Sequence, residues 1–149
     1  MTDRKYLPTF AELVDRLTIC QLKAIHIPDK RAQYMQEMAD IEHDLDVLLQ
    51  EQFDSLGKSI TGTEVRAIAA VMLTNAAIWQ NESAVRNGDA KDDPMVTLNR
   101  LRFTHSCNGA RNTAKNKLAK WSGERQDAKI DCFAADLIAT FGHWQLWDA

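Results

Sequence analysis

Apolar residues recur at helical spacing through most of the chain. The first periodic stretch starts at Thr9, with Pro8 before it and Glu12 three residues on, the spacing of a capping box. Phe10, Leu13, Val14, Leu17, Cys20 and Ile25 form its apolar stripe. Pro28 breaks the pattern, and Asp29 is placed to cap a second helix reaching about Phe53, with Tyr34, Met38, Ile41, Leu45, Leu48 and Leu49 inward. Gly57 and Gly62 bracket a short loop. Thr61 and Glu64 then make a second capping box for a third helix over about 63–86.

That third helix is apolar on more than one side, with Val65, Ile68, Met72, Ala76 and Trp79 on one face and Val71 and Ile78 on another, the mark of a central helix. A polar loop at 87–94 reads as a turn with a proline stop. A fourth helix follows from about Met95 to Trp121, with Val96, Phe103, Cys107, Ala110, Ala114, Leu118 and Trp121 on one side. Gly123 separates it from a fifth, about 124–141, with Ile130, Phe133, Leu137 and Phe141 inward, and the tail carries Trp144 and Trp147. The pattern predicts an all-α fold: one domain over 1–149, a compact bundle of about five helices with a Trp-containing C-terminal tail.

Composition agrees. Apolar residues make up 45% and charged residues 26% of 149, a globular balance with enough chain for one core. Six glycines and three prolines are too few for a turn-rich β fold. Cys20, Cys107 and Cys132 show no CxxC pairing and read as reduced core thiols, which implies a reducing compartment. The opening MTDRKYLPTF lacks the apolar run of a secretion signal, so a cytoplasmic location is expected. No apolar run approaches the roughly 18 residues of a membrane span.

Net charge is −3, so long nucleic acid is not an expected partner. The charge is unevenly distributed. Residues 32–57 hold seven acids and no Lys or Arg, whereas 99–129 hold eight bases against two acids. These stretches either pair with each other or keep the surface solvated.

The fourth helix carries the candidate site. Opposite its core stripe lie Leu101, His105, Asn108, Asn112, Lys115 and Asn116, flanked by Arg102 and Arg111. Asparagine is a poor helix former and Gly109 a worse one, so a purely solvated face would use other residues. Amides can read the edges of a base, and Arg and Lys can hold phosphate. Arg102, Arg111 and Lys115 would neutralise phosphate, while His105, Asn108, Asn112 and Asn116 would bond a base or ribose. The expected ligand is a nucleotide-like anion, bound without turnover. A buried amide network between helices is the competing reading, and a solvated face the third. Leu98 and Leu101 leave apolar surface to cover, which points to a homo-oligomer. A structural or protein-interaction role stands as a further alternative.

Two resemblances add to this. Glu12/Asp15 and Glu37/Asp40 resemble the paired acidic helices of MazG-like nucleotide pyrophosphohydrolases. That likeness implies Mg²⁺ held by these four carboxylates and cleavage of nucleoside triphosphates, although the doubled-acid first motif of that family is missing. The stretches Leu7–Ile19 and His105–Asn116 resemble a group of small bacteriophage all-α proteins. That second likeness implies a compact helical fold of viral origin and, by analogy, capture of a nucleotide signal used in host antiviral defence. The histidines at 26, 43, 105 and 143 have no zinc-ligand spacing.

Overall fold

The computed structural model describes residues 6–88 and 93–126. Among them the architecture is four α-helices: α1 (Phe10–His26), α2 (Arg31–Leu56), α3 (Gly62–Arg86) and α4 (Pro94–Ser122). The chain is all-α, as the periodicity predicts. The expected fifth helix and the Trp144/Trp147 tail lie outside the described residues, except that 124–126 are not helical.

Local signals set the helix ends. At α1 the Thr9 hydroxyl accepts from Glu12 N–H while Glu12 Oε2 accepts from Thr9 N–H at 2.8 Å. Thr61 and Glu64 repeat the device at α3. Burial works against the Glu64 carboxylate, but the Thr61 hydroxyl and backbone donors outweigh it and hold its pKa below the usual value. Gly57 (φ +62°) and Gly123 (φ +73°) end α2 and α4 in the left-handed conformation that glycine adopts without a Cβ penalty.

Two boundaries differ from expectation. Asp29 does not cap α2; it sits in a 3-10 turn, Pro28–Lys30, that runs directly into Arg31. Pro94 does not stop the chain but opens α4, with Asp93 accepting from Met95 N–H and Val96 N–H. Proline suits a first helical position because its missing donor would have had no partner there.

The central element is α1, not α3. It packs on α2, α3 and α4, whereas α3 packs chiefly on α4. The reason lies in α3's small residues. Ala67, Ala70 and Val71 are buried, so α4 can approach closely, while Val65 (57% exposed) and Met72 (49%) face away from the core. In α4, Cys107, Ala110, Ala114 and Leu118 are buried as the stripe predicts, Phe103 and Trp121 are half-buried, and Val96 is exposed. Ile25 of α1 is exposed as well. Phe10 packs on Trp121 at 5.1 Å between ring centroids, and His26 stacks on Trp79 at 5.4 Å.

Cys20 and Cys107 are free and buried. Burial pushes the Cys107 thiol up to about 11. It pushes Cys20 upward too, with the Glu37 carboxylate adding to the shift. Both therefore stay protonated at neutral pH. Alkylation followed by mass spectrometry should leave these two unmodified until denaturant is added, and rapid native labelling at either would contradict their burial. Among the described residues no helix is long and apolar enough to cross a membrane.

Candidate functional site

Helix α1 carries one buried acid, Asp15, to the place where α3 and α4 meet. Its Oδ1 accepts from Asn75 Nδ2 at 2.8 Å, and its Oδ2 pairs with Lys115 Nζ at 3.0 Å. Asn75 also donates to Thr18 Oγ1 at 2.8 Å, and its carbonyl oxygen accepts from an Arg111 guanidinium nitrogen at 3.0 Å. Three helices are thus tied by a polar network whose hub, Asn75, is 4% exposed. Buried polar groups need such partners, because an unpaired one costs about 1–3 kcal/mol. One atom falls outside this satisfaction: Arg111 Nε is buried with no partner.

A cleft opens beside the network. It measures about 290 Å³ and is lined by Tyr6, Thr9, Glu12, Lys115, Asn116 and Arg125, among others. Lys115 belongs to both features. Arg125 closes the far side, pairing with Glu12 at 2.6 Å, donating to the Leu7 carbonyl at 2.7 Å, and lying 3.9 Å over the Tyr6 ring. Tyr6 itself is 70% exposed. The lining is polar and mixed in charge, with two cations and one carboxylate at its walls.

The seven residues expected to grip a ligand do not gather in one place. They run from position 102 to 116, about 21 Å along the helix axis, and Arg102 and Arg111 lie on opposite sides of the helix at about 100° per residue. Arg102 and His105 are exposed, and Asn108 and Asn112 are half-buried further along the same helix. Arg111 and Lys115 turn inward and bond Asn75 and Asp15. Lys115 and Asn116 line the cleft. The competing reading, a polar network between helices, therefore describes Arg111 and Lys115.

The four carboxylates of the Mg²⁺ reading are likewise dispersed over different partners. Glu12 serves the α1 cap and Arg125, and Asp15 sits in the network. Glu37 pairs with Arg16 through Nε at 2.6 Å, which holds its pKa below the usual range, and Asp40 accepts from Gln36 at 2.9 Å. Among the described residues no group of three or more His, Cys, Asp or Glu side chains could hold a metal ion. In α3, Glu82 accepts from Thr104 Oγ1, and Arg86 Nε donates to the Glu82 backbone carbonyl.

Sequence reasoning missed Tyr6, Thr9 and Arg125 as cleft residues. No signal linked them, because Tyr6 and Arg125 stand 119 positions apart and meet only through the fold. Compared with family models, with curated proteins and with solved structures, the chain matches none. The class defined by fold and site is a small helical bundle with a polar cleft beside a buried ionic network.

Proposed function

We propose that this protein binds a small anionic, nucleotide-like molecule in the cleft between Tyr6, Arg125 and Lys115, and does so without turning it over. The observation that carries the reading is the convergence of two cations and an amide, Arg125, Lys115 and Asn116, on one polar hollow. An ammonium has three donors and a guanidinium five, so both can reach a phosphate while keeping their carboxylate partners. Asn116 supplies an amide for a base or ribose, and the exposed Tyr6 ring offers a face on which a base can stack. The volume lies at the lower end for small-molecule sites, which favours a mononucleotide-sized ligand or one nucleotide unit of a larger one. A host nucleotide signal is the ligand class that the likeness to phage proteins adds. Self-association accompanies binding in this proposal, since Leu98 (37% exposed) and Leu101 (54%) stand bare on α4.

A thermal-shift panel of nucleotides, each with and without Mg²⁺, tests it. A ligand present at a hundred times its Kd should add about 2.7 kcal/mol, on the order of 8 °C for a chain of this size. Arg125→Gln and Tyr6→Ala should abolish the shift, and Arg102→Ala should leave it intact. A shift lost with Arg102→Ala but kept in both cleft variants would overturn the assignment. Release of pyrophosphate from triphosphates on adding Mg²⁺ would contradict binding without turnover.

A further inference from the structure

The acidic and basic stretches of the sequence do not neutralise each other along their lengths. Helix α2 holds no Lys or Arg after Arg31, and α4 holds no Asp or Glu at all. Yet α2 packs on α1 and not along α4; the two meet near their C-terminal ends, where Gln52 Nε2 donates to the Ser122 carbonyl at 3.1 Å. Asp44, Asp46, Glu51 and Asp54 are exposed on α2, and Arg102 is exposed on α4.

Apolar surface accompanies each charge. Beside the α2 acids lies a groove of about 390 Å³ lined by Leu49, Phe53 and Ile60 together with Asp46 and Lys58, whose ammonium donates to the Trp121 carbonyl at 2.9 Å. Phe53 is 58% exposed. On α4, Met95 (60% exposed), Leu98 and Leu101 recur every third residue, so they form one stripe next to Arg102. The groove ends at Ile60, just before α3 begins, whereas Asn81 Nδ2 donates to the Arg100 carbonyl and so sets the stripe beside the last turns of α3. The helix from Gly62 to Asn81 separates them by about 28 Å. Within one chain the two surfaces cannot meet.

We propose that two copies of this protein associate by seating the Met95–Leu98–Leu101 stripe of one in the Leu49–Phe53–Ile60 groove of the other, with Arg102 against the α2 acids. The assignment rests on the self-association proposed above and names its surfaces. Apolar side chains supply the binding energy, and the opposed charges fix the orientation and exclude the reverse pairing. The contact is heterologous, so each copy offers both a stripe and a groove.

Mixing two damaged variants of the full chain tests this. Phe53→Glu spoils the groove and leaves the stripe; Leu101→Glu does the opposite. Both positions are exposed, and unchanged far-UV circular dichroism would show that the fold is intact. By sedimentation velocity the unaltered protein should be a dimer or larger, and added salt should weaken it. Each variant alone should associate about 30-fold or more weakly, the effect of losing one hot-spot side chain. The mixture should regain a one-to-one heterodimer, because one intact stripe then faces one intact groove. An associating parent whose variants both stay associated, or whose variants fail to complement on mixing, would overturn the pairing while leaving self-association standing. A parent that is monomeric at high micromolar concentration would overturn both.

Discussion

Replacing Asp15 with alanine is expected to lower folding stability by about 3–5 kcal/mol, the cost of breaking a buried ion pair and stranding its cation. The side chains of Asp15 and Lys115 are 12% and 19% exposed, so water reaches the stranded cation only through the cleft that Lys115 lines. The loss extends beyond the pair, since Asn75 Nδ2 would keep Thr18 but lose its carboxylate acceptor. Asp15→Asn should cost less, because an amide oxygen can still accept from Asn75. Urea denaturation of the three proteins measures the order directly. A loss below about 1 kcal/mol for alanine would mean that the network is solvated and structurally idle, as exposed pairs are.

Leu118→Ala should destabilise by about 2–5 kcal/mol through lost burial and the cavity left behind. Leu118 has no exposed surface and belongs to the core cluster that also holds Phe10, Val14 and Val71. Leu101→Ala, on the same helix but 54% exposed, should change the stability of the monomer, measured at a concentration too low for self-association, by no more than about 0.5 kcal/mol. Chemical denaturation separates the two. Equal effects would contradict the placement of α4's core face.

The helices were legible because their signals are local. Both capping boxes, the glycine stops and the small-residue stripe of α4 each lie within a few turns of chain. Pro94 shows the limit: the same residue ends one helix or begins another, and its Asp93 neighbour decides which. The rank of the helices was not legible. All-round apolarity marked α3 as central, but Val65, Met72 and Leu73 face outward and α1 took the middle. The site illustrates this more sharply. Asp15 stood in the metal reading and Lys115 in the phosphate reading, and the fold pairs them with each other across 100 positions. Spacing along a helix shows which residues share a face. It does not show whether a charge on that face meets a ligand or an opposite charge from another helix.

Amide and side-chain NMR of uniformly ¹⁵N-labelled protein, titrated with a mononucleotide identified in the thermal-shift panel, tests the central claim most directly. Binding in the cleft predicts shift changes at Thr9, Ala11, Ala119 and the Asn116 side-chain amide, with Arg102 and His105 unmoved. Changes confined to Arg102–Asn108, or a spectrum unaltered at saturating nucleotide, would contradict it.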